Sequence, residues 1–191
     1  MYRAVQLEAV RRIKCNITEE RQIMPENPLY PDATLALYAD GPAQLEAVLI
    51  GLKESDLNLA QSGDSWTIRQ IVHHIVDGDD IWKSCIKAAL GNTEGLFSLQ
   101  WYWDKPQTEW AKNWRYSDRP IEPSLALFRA SRHQIVELVQ QTANAWEKSI
   151  RMKNPRNEEV QITVGDVLEI QASHVVDHVS EIQMILRTHN L

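Results

Sequence analysis

Two stretches of this chain open with the same helix-start grammar, and together they dictate a helical frame. Thr67 and Gln70 have capping-box spacing, with Trp66 and Ile71 at the two positions of a hydrophobic staple. Thr163 and Asp166 repeat the spacing, and Ile162 and Val167 repeat the staple. Helices are therefore predicted over residues 67–90 and 163–188. A third long helix is predicted over 123–142, where Leu125, Phe128, Ile135, Val136 and Val139 recur at helical spacing. A fourth, over 33–53, carries Leu35, Leu37, Leu45, Val48, Leu49 and Leu52, and Gly41-Pro42 in its middle predicts a kink or a restart. Strand-like alternation is confined to short pieces around residues 158–164. Four amphipathic segments and little else define an all-α fold, a four-helix bundle.

The connections are less ordinary. Residues 91–122 are too many for a tight turn between helices, and they hold Phe97, Trp101, Tyr102, Trp103, Trp110, Trp114 and Tyr116. Such a segment folds back as a crossover on one bundle edge, where its aromatics, Trp103 and Trp110 among them, can wall a substrate pocket at the bundle mouth. Pro25, Pro28 and Pro31 make the lead-in extended, which divides the chain into an N-terminal extension, 1–31, and one domain, 32–191. Within the extension, Val5, Leu7, Val10 and Ile13 predict a short amphipathic helix over 3–14 that packs on its own domain.

Charge and cysteine usage exclude several classes. The chain has 26 acidic against 20 basic residues, a net charge of -6, which disfavours a nucleic-acid partner. No apolar run approaches the roughly 20 residues that span a bilayer, so no membrane partner is expected. Cys15 and Cys85 form no metal or redox motif and fit a reducing compartment, so a soluble, cytoplasmic protein is expected.

Histidine placement carries the chemistry. His174 and His178 are four residues apart, which puts their imidazoles on one helical face about 6 Å apart. Both fall inside the broad apolar arc formed by Val164, Val167, Leu168, Val175, Val179 and Ile182. Buried imidazoles need partners, and a shared cation satisfies two at once. On the second helix the same projection places His74 in the apolar arc and His73 about 100° away from it. His133 projects away from its helix's apolar face and His189 lies in the tail, so His73, His133 and His189 are set aside. His74, His174 and His178 are the candidate ligands of one divalent transition metal, zinc or nickel, with open coordination positions. In His174-Val-Val-Asp-His178, Val175 stands where a zinc protease keeps its general-base glutamate, so peptidase activity is not expected. Asp77, one turn after His74, and Glu181, in line with His174, are the candidate catalytic auxiliaries: each either orients a histidine or accepts a proton from metal-activated water.

The run Trp66-Thr67-Ile68-Arg69-Gln70-Ile71-Val72-His73-His74-Ile75-Val76-Asp77, followed downstream by His174-Val-Val-Asp-His178-Val-Ser-Glu181, resembles the DinB-like superfamily. It is most similar to the YfiT-like branch, regarded as metal-dependent hydrolases. The similarity covers roughly residues 33–188, including Gly41-Pro42 and a segment from Trp103-Asp104 to Trp110-Ala111 that looks like that branch's aromatic loop. The chain departs from the branch in its N-terminal extension and longer Trp-rich crossover. The resemblance implies an up-down-down-up bundle, commonly a homodimer, with zinc or nickel held by one histidine of the second helix and two of the fourth. His74, His174 and His178 match those positions. It further implies a metal-dependent hydrolase acting on a small molecule, or alternatively a thiol S-transferase that activates a low-molecular-weight thiol. A non-catalytic dimeric metal-binding interaction module is the remaining alternative.

Overall fold

The structure is a computed structural model that describes residues 30–191. Cys15, the helix expected over 3–14 and the extension before residue 30 lie outside the described residues. Among the described residues, six α-helices and three short strands follow in order: α1 (Tyr30–Leu49), α2 (Ile68–Gly91), β1 (Leu96–Ser98), α3 (Gln100–Trp103), α4 (Gln107–Asn113), α5 (Glu122–Gln141), β2 (Ser149–Lys153), β3 (Glu159–Thr163) and α6 (Val164–Thr188).

The two capping boxes form as the spacing predicts. Thr67 accepts from the Gln70 amide and Gln70 returns the bond to the Thr67 amide; Thr163 and Asp166 do the same at the start of α6. Each box satisfies two donors that a helix start otherwise leaves orphaned, which is why both helices begin where the sequence places them.

The four long helices, α1, α2, α5 and α6, make the bundle. Side-chain contacts fix its directions. His73 meets Ser124, and further along both helices Asp79 meets Arg132, so α2 and α5 run the same way. His74 lies against both His174 and His178, whereas Gly78 lies against His174, so α2 and α6 run oppositely. Tyr38 meets Arg132 and Glu46 meets Arg129, so α1 opposes α5. The order is therefore up-down-down-up. Parallel neighbours explain the length of the crossover: α2 is about 36 Å long, and the chain must travel back along it before α5 can start.

The expectation of a purely α fold needs correction. β1 pairs parallel with β2, and β2 pairs antiparallel with β3 in a hairpin. Ile150, Met152 and Ile162 point inward from the sheet and close one end of the bundle. The alternation visible at 158–164 was one strand of this sheet; β2, equally long, alternates too, with Ile150 and Met152 inward, and was missed, whereas the three residues of β1 are too few to show a period and join the hairpin only through the fold.

Two apolar clusters fill the bundle, one around Ile71, Ile75, Phe128 and Ile182, the other around Ile86, Ile135, Leu168 and the sheet. Arg132 crosses the bundle between them, only 1% exposed. Its Nε and Nη2 donate to Asp79 Oδ1 on α2 at 3.0 and 2.8 Å, Nη2 also donates to the Gln171 carbonyl on α6 at 2.8 Å, and Nη1 donates to the Tyr38 carbonyl on α1 at 2.6 Å. The guanidinium also stacks on the Tyr38 and Phe128 rings, 4.0 and 4.6 Å from their centroids. Burial pushes the Asp79 carboxyl above the usual aspartate range, and Arg132 works against that rise.

Gly41-Pro42 is the receptor for this arginine. Helix α1 neither breaks nor restarts at Pro42. Proline has no amide proton, so the Tyr38 carbonyl four residues earlier loses its helical donor, and Arg132 supplies the replacement. Gly41 makes the room: a Cβ there would clash with Arg132 Nη1.

Replacing Arg132 by Met strands the Asp79 carboxyl and the Tyr38 carbonyl in the core, so Arg132→Met is expected to lose about 3–5 kcal/mol of unfolding free energy. Gly41→Ala, which overpacks the same point, should lose about 1–3 kcal/mol. Urea unfolding at neutral pH measures both, and a loss below 1 kcal/mol in each would contradict this account of the interior.

Candidate metal centre

The capped start of α2 places His74 on its second turn, and the antiparallel α6 brings His174 and His178 against it. The three Nε2 atoms converge. His174 Nε2 lies 3.1 Å from His74 Nε2 and 3.1 Å from His178 Nε2, with ring planes nearly perpendicular to one another. Two nitrogens bound tetrahedrally to one zinc-like ion sit about 3.3 Å apart. Trp66, the staple residue at the helix start, stands edge-on to His74 at 4.7 Å and walls the site.

Hydrogen bonding alone does not satisfy this cluster. His178 Nδ1 donates to Glu181 Oε2 at 2.9 Å, which leaves a lone pair on its Nε2. One shared proton at His174 Nε2 cannot serve both neighbouring nitrogens fully, and the Nδ1 atoms of His74 and His174 are buried with no hydrogen-bond partner. A cation accepting all three Nε2 lone pairs resolves the convergence. Burial, and then the adjacent imidazoles, hold His74 and His174 well below the ordinary histidine pKa, so both are neutral near pH 7, the form in which imidazole ligates a metal. Among the described residues, His74, His174 and His178 are the histidine, cysteine and carboxylate group whose ligand atoms could hold one ion. The donor set fits a transition metal.

The remaining expected residues fall in distinct places. Glu181 touches a ligand imidazole. Asp77 does not: its carboxylate pairs with Arg119 Nη1 at 3.3 Å, acts on the Tyr116 hydroxyl, whose pKa it helps to raise, and opens onto a cleft between α2 and the crossover. That cleft is walled by Trp101 and Trp114, with Trp103 and Trp110 outside its lining. Trp103 packs into the apolar cluster at the sheet end, and Trp110 stacks among Tyr102, Trp101 and Trp114 while its indole N–H donates to the Tyr102 carbonyl at 2.8 Å. Gly78 faces His174, where a Cβ would make ordinary contact at 3.8 Å. Exposed His133 and His189 stand apart from the cluster, His189 bonding the Ala60 carbonyl.

His73 is set aside as a ligand, yet its place off the apolar arc does not leave it in solvent. It is buried, with Nε2 donating to the Arg119 carbonyl at 3.2 Å and Nδ1 accepting from Ser124 at 2.9 Å. The returning crossover covers that face of α2, so the helix is buried on two sides and its phase alone cannot separate core from surface. Trp66, Tyr116 and Arg119 were likewise not singled out for the site. Trp66 had a readable signal, since a staple residue must lie within a turn or two of anything on the first turns of its helix.

An antiparallel pair of bundle helices that converges three imidazoles on one point defines a metal-binding four-helix-bundle protein. Residues 37–182 match the DinB superfamily model, and the chain belongs to the DinB superfamily. It is 28% identical to a protein of Oceanobacillus iheyensis named "Putative metal-dependent hydrolase OB0782", over 78% of this chain and 81% of that one. A Geobacillus thermodenitrificans protein named "Putative metal-dependent hydrolase" is 31% identical over 49% of each chain, so the match spans about half of that relative's length. Among solved structures, YfiT from Bacillus subtilis, described as a probable metal-dependent hydrolase with an unusual four-helix bundle topology, superposes with a TM-score of 0.71 at 19% identity, covering 91% of this chain and 94% of that one. At that identity the likeness shows the fold. No helix among the described residues is long and apolar enough to cross a membrane.

Two outcomes follow. His74→Ala should remove stoichiometric metal from the purified protein, and Glu181→Gln should weaken metal binding about 10–100-fold, both read by equilibrium dialysis with elemental analysis. In the metal-free protein the depressed pKa of His74 and His174 means that the unfolded chain takes up protons first. Stability from these groups is complete above the unfolded value of 6.5 and is lost progressively as pH falls below it. Thermal melts from pH 7.5 down to 5 should show that decline, and a flat profile would contradict it.

Proposed function

We propose that the protein is a metal-dependent hydrolase that uses zinc or nickel held by His74, His174 and His178. The observation that carries this reading is the convergence of three Nε2 atoms from two helices, two of the contacts at 3.1 Å, in a buried pocket where the three have only one another as partners. Three imidazoles are the ligand number of catalytic rather than closed structural sites. When bound, such a metal supplies Lewis acidity and brings the pKa of a coordinated water towards neutrality. The names of the relatives support the same direction.

The chain's own groups have separable parts in this reading. Glu181 holds the Nδ1 proton of His178 and so aims Nε2 at the point of convergence; it is a positioning residue. Trp66 and the buried apolar side chains around it exclude bulk water from the ligand rings, and that burial keeps His74 and His174 neutral. Val175 is buried in the core between the two α6 histidines, and so the helix offers no carboxylate at the position a zinc peptidase uses. Peptides are accordingly not the proposed substrates. Asp77 touches Arg119 and Tyr116 rather than a ligand histidine, and no role at the metal is assigned to it.

The test uses protein reconstituted separately with zinc and nickel, assayed on small ester, amide and thiol-transfer substrates. Ester or amide turnover is expected that falls at least about 100-fold after chelation, returns with metal, and falls equally in His174→Ala. Turnover that survives chelation would refute the proposal; thiol transfer without hydrolysis would replace it with the transferase reading.

A further inference from the structure

The cleft between α2 and the crossover lies on a different flank of α2 from the imidazoles. Its lining takes Asp77, Asp80, Ile81 and Ser84, successive turns of one α2 face, and none of the three ligand histidines. From the geometry of this cleft we infer a second ligand site, one that takes a small organic cation of the ammonium type.

Size, walls and charge each point there. The volume, about 560 Å³, lies within the range of small-molecule sites. One wall is indole. Trp101 is 52% exposed but is not loose: it stands edge-on to Tyr102 and Trp110, each 5.6 Å away, and Trp110 in turn contacts Trp114 at 4.9 Å. Packing behind them presents the rings of Trp101 and Trp114 to the cleft in fixed positions, and indole is the strongest side-chain partner for an organic cation.

The opposite wall carries the Asp77 and Asp80 carboxylates, one turn apart, against a single lining cation, Arg119. Lys83, which pairs with Asp80, is not part of the lining. Arg119 is also already committed. Its Nη1 donates to Asp77 and to the Trp114 carbonyl, and its Nη2 donates to Ser124, with its backbone carbonyl holding His73 and Arg69. An incoming carboxylate or phosphate would have to break that arrangement and sit beside two carboxylates. An ammonium meets the indole walls and the Asp80 carboxylate, already paired with Lys83, without breaking it. Two carboxylates repel an incoming anion and the indole walls favour a cation, which would share the Asp80 carboxylate with Lys83.

This inference does not depend on the metal reading, and the experiment separates them. Intrinsic tryptophan fluorescence of the full chain is titrated with choline and with benzyltrimethylammonium, against the uncharged isostere 3,3-dimethylbutanol and the anion phenylacetate. Saturable quenching by the two cations is expected, at least about tenfold tighter than by either control. Asp80→Asn and Trp101→Phe, both at solvent-exposed side chains, should each weaken it about fivefold or more while leaving the melting temperature within a degree or two, and His74→Ala should not change it. Equal binding of the neutral isostere, tighter binding of phenylacetate, no saturable quenching, or cation binding indifferent to both cleft variants would each overturn the inference. Loss of binding in His74→Ala alone would move the ligand to the metal centre and overturn it too.

Discussion

The buried guanidinium of Arg132 is the constraint on which the arrangement rests. A charge in the bundle interior is tolerable only when paired and hydrogen-bonded, and the acceptors of this one come from all three other long helices: the Tyr38 carbonyl of α1, the Asp79 carboxylate of α2 and the Gln171 carbonyl of α6. Sliding any helix by one turn would strand at least one of those groups. Apolar packing alone would tolerate such a slip far better, because one leucine or isoleucine side chain can replace another. The registry fixed at Arg132 is the one the metal centre needs. His174 follows Gln171 by about one turn on α6, and His74 precedes Asp79 by somewhat more than one turn on the antiparallel α2.

Gly41 and Pro42 belong to the same device. A proline inside a helix removes a hydrogen bond, and in isolation would destabilise it by about 3 kcal/mol. Here the orphaned carbonyl becomes the docking point for Arg132, and the missing glycine side chain becomes its passage. Two residues that weaken a helix locally thereby hold the bundle in register.

Parallel packing of α2 and α5 has consequences beyond topology. It obliges the chain to run back along the bundle, and the returning segment uses its aromatic residues for adhesion: Tyr102, Trp110, Trp114 and Tyr116 form a continuous series of ring contacts that ends on Trp66 and His74. That segment covers one flank of α2, buries His73, and leaves a cleft beside Asp77. The second helix is consequently central, with His74 directed to one side and the crossover lying on the other. The two surfaces of α2 have different chemistry because different neighbours cover them.

Much of the fold and the ligand set was legible in the sequence. Capping boxes and staples are local, satisfied within a few residues, so the starts of α2 and α6 could be read directly. Helical phase then placed His74, His174 and His178 inward, and inwardness is what the site required of them. Phase could also have singled out Arg132 and Asp79: Arg132 falls on the stripe of Phe128, Ile135 and Val139, and Asp79 one turn after Ile75. What sequence could not supply were relations between distant segments. The three-stranded sheet needs β1, whose three residues show no period until they pair with β2, the burial of His73 depends on a crossover nearly fifty residues away, and the cleft's walls are Trp101 and Trp114 rather than Trp103 and Trp110 because the crossover's path decides which rings face α2. Local hydrogen bonding and helix periodicity are written within a few turns of chain. The convergence of the three imidazoles, the burial of an arginine between four helices and the choice of cleft walls arise only when those turns are packed against one another.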